Sequence, residues 1–189
     1  MSLLFKVDKK IISPNVETLL ISPYKEIWER DTTPDKRYAT EDLAYIEFCA
    51  SVKKSNPYSG YGEDVKKNKI KSDIITRENW SEDELIIEAI KKLQVMQREA
   101  SPSYNYYIAA KNAAEKIQDF FNNFDMNEVN IKTGAPIYKP KDVTSALNDT
   151  SRVLQNFNEL RDKVDNEIYE ATKNKGEKRI STLANPDSL

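Results

Sequence analysis

Histidine is missing from this chain altogether. With it go the commonest general base, the commonest zinc ligand and the usual switch near neutral pH. Glycine is scarce, four in 189 residues, too few for folds that depend on many tight turns or on glycine-rich phosphate loops. A single cysteine, Cys49, excludes an internal disulfide. It lies among Ile46, Phe48 and Val52, where a thiol behaves as a small buried hydrophobe. No stretch approaches the roughly 18 apolar residues of a membrane span, and the run from Met1 to Lys6 is too short for a signal peptide. The expectation is a soluble product made in the cytoplasm. Excess charge of one sign is absent too: 29 basic against 31 acidic residues, scattered along the chain, give no strong field for nucleic acid. No phosphate loop, dinucleotide fingerprint, zinc pair or nucleophile elbow is present. The acids fall on polar helix faces or at caps, so no paired-carboxylate site emerges. The composition therefore reads as a non-enzyme, with no cofactor or metal.

What the chain has instead is helix. From Asp142 to Lys173, Val143, Leu147, Thr150, Leu154, Phe157, Arg161, Val164, Ile168 and Ala171 follow at alternating steps of four and three. That step keeps one seam of a helix facing a partner along its length. Ala146, Val153 and Leu160 flank the seam and widen it. At about 1.5 Å per residue the helix is roughly 48 Å long, longer than a compact domain of this size is wide. It is either the longest member of an in-chain bundle or a helix whose end meets another chain.

Before it come several shorter elements. Residues 1–22 read as an extended arm or small hairpin, with strand-like pieces at Leu3–Val7 and Val16–Ile21. Ser22–Pro23 opens a helix at Tyr24–Arg30 with Trp28 as its anchor. Thr33–Pro34 starts another, to about Lys54, whose second half from Leu43 to Val52 is apolar almost all round and marks the core. The turn Ser55–Gly62 carries Tyr58 and Tyr61, read as pinning the loop to the core rather than as base-stacking rings. Lys66, Lys67, Lys69 and Lys71 are read as a solvated helix face, with phosphate contact as the alternative. Ser81–Glu84 is a capping box for a helix to Arg98. Ser101–Pro102 starts a helix ending in Phe120, Phe121 and Phe124, read as core or interface. Residues 125–140 lose helical periodicity and suggest a protruding loop or hairpin. Gly176 is a natural helix stop, which leaves residues 174–189 as an extended or disordered tail. The fold class is thus mainly α: a helical bundle with one long heptad-patterned helix, a small β-hairpin component and extended terminal arms. The helical domain spans 23–173.

One stretch bears a resemblance. Tyr24-Lys25-Glu26-Ile27-Trp28-Glu29-Arg30-Asp31, then Pro34-Asp35-Lys36, Leu43-Ala44-Tyr45-Ile46-Glu47-Phe48 and Ser55-Asn56-Pro57-Tyr58 together resemble structural proteins of tailed bacteriophages, especially the neck and tail-connector ring proteins of crAss-like phages. The resemblance covers about a fifth of the chain and rests on packing residues. It implies a virion subunit made in the host cytoplasm and placed at the head-tail junction. Such a subunit forms a homo-oligomeric ring matching portal symmetry, between the portal and adjacent tail or ring proteins. DNA would pass nearby without sequence-specific binding, and no membrane is involved. The residues expected to meet partners are Leu3, Phe5, Leu154, Phe157, Val164, Ile168, Ile180 and Leu183. Two other readings stay open: a cytosolic helical adaptor that binds through the heptad seam, and a nucleic-acid-binding protein using the lysine cluster.

Overall fold

The computed structural model describes residues 4–8 and 11–184, with side chains described for 4–6, 12–63 and 65–172. Two short strands, β1 (Phe5–Asp8) and β2 (Ile11–Pro14), form an antiparallel hairpin with Phe5 opposite Pro14. Six helices follow: α1 (Tyr24–Arg30), α2 (Arg37–Ala50), α3 (Glu63–Ile74), α4 (Glu84–Ala100), α5 (Tyr104–Asn123) and α6 (Pro140–Ala184). The fold is mainly helical with a small β-hairpin, as the periodicities require. The residues divide into two compact units, 1–102 with 164–189, and 103–163.

In the first unit α2 is the centre, packed by α1, α3, α4 and β2. Leu43, Tyr45, Ile46 and Phe48 are all buried, which is why this helix is apolar on every side. Around it, α4 presents Ile86, Ala89, Ile90, Leu93 and Gln97, a stripe at steps of three and four. The Gln97 side chain stitches the two helices: its amide donates to the Ala50 carbonyl at 3.3 Å and its oxygen accepts from the Val52 N–H at 3.3 Å. Edge-to-face ring contacts fill the gaps between elements, Tyr45 with Trp80 at 4.7 Å and Phe48 with Tyr58 at 5.3 Å. Val164 and Ile168 of α6 are also buried in this unit. There Asp165 accepts from the Lys54 N–H at 3.3 Å, and Glu167 accepts from the Ser101 hydroxyl at 2.6 Å.

Several boundaries differ from the sequence reading. The second strand is Ile11–Pro14, not Val16–Ile21; Thr18–Leu20 is a 3-10 turn, with Val16 and Leu20 exposed. Asn15 N–H bonds the Leu4 carbonyl at 2.9 Å and the Thr18 hydroxyl donates to the same oxygen, so the chain turns back before a longer strand can form. Helix α2 begins at Arg37 instead of Pro34. Lys36 occupies the left-handed region at φ 52, and the Asp31 carboxylate accepts from the Ala39 N–H at 2.8 Å and the Thr33 N–H at 2.9 Å. It stops at Ala50, where the Asn56 amide donates to the Phe48 and Ser51 carbonyls at 2.9 and 2.8 Å. The cap of α4 is Asp83, accepting from the Ile86 N–H at 3.0 Å, rather than Ser81.

Trp28 is only partly buried; Tyr24 and Ile27 are the residues of α1 in the core. Tyr24 packs edge-to-face on Phe5 at 5.8 Å and donates to the Ala89 carbonyl at 3.0 Å. Phe5 is therefore fully buried in its own chain, and its expected role on a neighbour gives way. At the far end, α6 continues through Gly176 to Ala184, so residues 174–184 are helical and not extended. A glycine inside a helix costs about 1 kcal/mol, which weakens a helix without ending it. Leu3 and the last residues of the tail, 185–189, lie outside the described residues.

Candidate interaction surface

Polar chemistry inside the first unit is spent on holding the fold. Asp42 is almost wholly buried. Its carboxylate accepts from Trp80 Nε1 at 2.7 Å, from Arg30 Nη2 at 2.8 Å and from Arg77 Nη2. Glu41 beside it accepts from the Thr76 hydroxyl at 2.6 Å and pairs with Arg37 at 3.3 Å. A charge taken out of water at this depth persists only when paired and fully hydrogen-bonded, and Asp42 is both. Arg30 then bridges Asp42 to Asp83 at the start of α4, tying α1, α2 and α4 together.

Cys49 is buried, and burial pushes its thiol up to about 11. It is not a nucleophile at neutral pH. The lysine cluster is engaged within the chain. Lys66 is buried and donates to the Cys49 carbonyl at 2.6 Å, contrary to the solvated face expected. That carbonyl belongs to the last turn of α2, where a cation meets the negative end of the helix dipole. Lys67 pairs with Glu82 at 3.0 Å, Lys69 with Asp73 at 3.0 Å, and Lys71 lies over the Trp80 ring at 5.5 Å. Tyr58 is buried against Phe48, but Tyr61 is 41% exposed, so only the first ring pins the loop. A polar cleft of about 520 Å³ is lined by Glu47, Lys53, Asn56, Asp165 and Tyr169 among others. Among the described residues no three histidine, cysteine, aspartate or glutamate side chains cluster as a metal site, and no helix is long and apolar enough to cross a membrane.

The second unit has a different character. Helix α5 and the first half of α6 run antiparallel. Tyr107 stacks on Phe157 at 5.1 Å, and Phe120 and Phe124 meet Tyr138 edge-to-face at 5.8 and 5.7 Å. Between the helices residues 125–139 turn back through a Val129–Pro136 bridge. Asn130 accepts from the Gly134 N–H at 2.8 Å, with Gly134 at φ 66, a conformation that glycine adopts without strain. Inward residues recur at steps of three and four on both helices: Tyr107, Ala110, Ala114, Ile117, Phe121 and Phe124 on one, Val143, Ala146, Thr150, Val153, Phe157 and Leu160 on the other. Yet no residue from Ile108 to Lys163 is buried. Two helices can cover only one side of each other. Ile117, Phe120, Phe121, Ala146, Thr150 and Val153 line an open apolar groove of about 410 Å³, rimmed by Lys116 and Asp149.

The expected partner residues separate accordingly. Val164 and Ile168 are buried in the first unit, Phe157 is half-buried under Tyr107, and Leu154 is 48% exposed. Ile180 and Leu183 fall within α6, with side chains outside the described residues. The seam read from the sequence is thus rotated slightly. Ala146, Val153 and Leu160 turn inward while Leu147 and Leu154 face solvent, Leu147 at 52% exposure. Sequence reading left out the groove on α5, although its three-four repeat was there to be counted. Tyr106, 73% exposed, and Ile131, 99% exposed, add to the uncovered apolar surface. No protein-family model, curated protein or solved structure matches this chain.

Proposed function

We propose that this chain is a structural subunit of a larger assembly and has no catalytic role. The observation that carries the reading is the helical hairpin of residues 103–163, where apolar stripes on two helices remain without a buried residue from Ile108 onward. Helical stability in water comes chiefly from packing an amphipathic face. A hairpin with half its apolar face uncovered gains that packing from another chain. Contiguous exposed apolar surface is also the usual mark of a protein contact.

The likeness of Pro23–Tyr58 to phage connector proteins gives the setting: a ring at the head-tail junction, joining the portal to tail components around the DNA channel. A ring subunit needs a folded body and head-to-tail contacts with its neighbours; the first unit supplies such a body and the hairpin such a contact. The alternative, a cytosolic adaptor that takes one partner helix along Leu147 and Leu154, shares the same exposed residues. Purified virions of the source phage separate the two. Detection of the chain in washed particles, at a copy number matching the portal ring, supports the ring reading. Its absence from particles, with recovery as a monomer or 1:1 complex in the cytoplasm, overturns it.

A further inference from the structure

On the reading of the chain as an assembly subunit, we infer that the hairpin binds a second copy of itself head to tail, the α6 ridge of one copy seated in the α5–α6 groove of the next. The groove floor on α6 runs from Ala146 to Val153. The ridge runs from Leu147 to Leu154, both about half exposed. Each spans seven residue steps, about 10.5 Å, and the two lie one residue apart along the helix. They face different ways. Leu147 and Asp149, the groove's rim on α6, are two residues apart, about 200° of helical rotation. The floor residues Ala146, Thr150 and Val153 lie about 60–120° round the helix from Leu147, so groove and ridge occupy different faces of one element at nearly the same level. A contact that joins two different faces is heterologous: it closes into a ring where the rotation from copy to copy returns to the start without rise, and otherwise continues as an open filament.

Charge and shape name the occupant. The groove is apolar on its floor and carries one cation, Lys116, on one rim and one anion, Asp149, on the other. An acidic or basic partner helix would meet the like charge on one side. The ridge strip, Thr144, Leu147, Ser151, Leu154 and Asn158, is exposed and carries no charge at all. It can lie between the rims with its leucines inward, and Ser151 and Asn158 are placed to hydrogen-bond at the edges. Leucines two turns apart in a groove of the same length repeat the knobs-into-holes geometry of packed helices.

The test uses the full chain and two surface variants. One carries Leu147→Glu with Leu154→Glu on the ridge; the other carries Phe120→Glu, a 43% exposed side chain in the groove. Circular dichroism first confirms that both keep wild-type helicity. By sedimentation velocity at tens of micromolar, wild type should form one discrete oligomer, and each variant alone should be monomeric. An equimolar mixture should give a 1:1 dimer and nothing larger, because one sound ridge meets one sound groove and both outer faces are dead. Oligomers in either variant, or a mixture that stays monomeric although wild type assembles, would overturn the head-to-tail contact. A wild-type ladder of open polymers that each variant abolishes would support the head-to-tail contact and overturn its closure into a ring. A wild-type monomer that is nevertheless present in particles would overturn self-contact while leaving the assembly reading intact.

Discussion

Asp42 shows how much a single side chain can organise. It accepts from Arg30, Arg77 and Trp80 while almost wholly buried. Asp42→Ala removes the anion and leaves two partly buried cations facing a void, a change expected to cost about 3–5 kcal/mol in urea unfolding. Nothing in the sequence marks this residue, since its partners come from 12 to 38 positions away. Phe48 was legible, because a large apolar residue in an all-round apolar helix end has to be surrounded. Phe48→Ala should cost about 3–5 kcal/mol. Trp28 looked equivalent by size, but it lies at the edge under Lys36, 6.0 Å from the ring. Trp28→Ala should cost on the order of 1–2 kcal/mol, and equal losses for the two variants in one denaturant series would contradict this placement. Two carboxylates set the acid limit. Burial works to raise Asp31 and Asp83, but hydrogen bonds outweigh it: Ala39 and Thr33 donate to the first, Ile86 and Arg30 to the second. Both are held below the usual carboxylate range. A lowered native pKa gives stability that is whole above the unfolded value, about 4, and drains away as pH falls through the native one. The melting temperature of Asp83→Asn should therefore depend less on pH below about 4 than that of wild type.

Among the elements, α2 and the hairpin are opposites. Helix α2 is enclosed by α1, α3, α4 and β2, whereas the hairpin formed by α5 and the first half of α6 holds no buried residue beyond Tyr107. Hydrogen exchange of the monomeric chain should show it. Amides of Leu43–Ala50 should exchange only through global unfolding, while those of Ile108–Asn123 open locally and exchange several orders of magnitude faster. Comparable protection in the two segments of a monomer would mean that the hairpin is covered in a way its exposure denies. Helix types and order were readable from periodicity, but helix ends were not. The stops at Ala50 and starts at Arg37 and Glu84 depend on side chains, Asn56, Asp31 and Asp83, that reach back to free backbone groups. Local sequence offers several such candidates at each end, and packing selects one. The seam of α6 was read a fraction of a turn off for a related reason. Leu147 and Val153 are equally apolar, and only the position of α5 decides which one turns inward.

At the scale of the whole molecule, the mainly helical fold was legible in the sequence, and the groove became visible only with both helices in place. The tail gives a further expectation. Ile180 and Leu183 are apolar residues of α6 whose side chains lie outside the described residues. Deleting residues 180–189 should leave the melting temperature of the subunit within about 2 °C of wild type, the scale of a small surface change, while, on the proposed virion reading, incorporation into particles falls sharply. An early-melting truncation would place the tail in the subunit's own core; undiminished incorporation would make it dispensable.

The first unit is built from two stretches of chain, 1–102 and 164–189, with the hairpin between them. This has a consequence for synthesis. Tyr24 awaits Ala89 and Asp42 awaits Trp80, so most of the core can close once about a hundred residues have left the ribosome. Val164 and Ile168 arrive last. At roughly 5–20 residues per second, the stretch from 103 to 168 takes about 3–13 s, during which the body stays incomplete while the hairpin is being made. A subunit that seals its own core only with its final helix is slow to present its contacts in finished form, and nascent chains meeting on one message are exposed to misassembly during that interval.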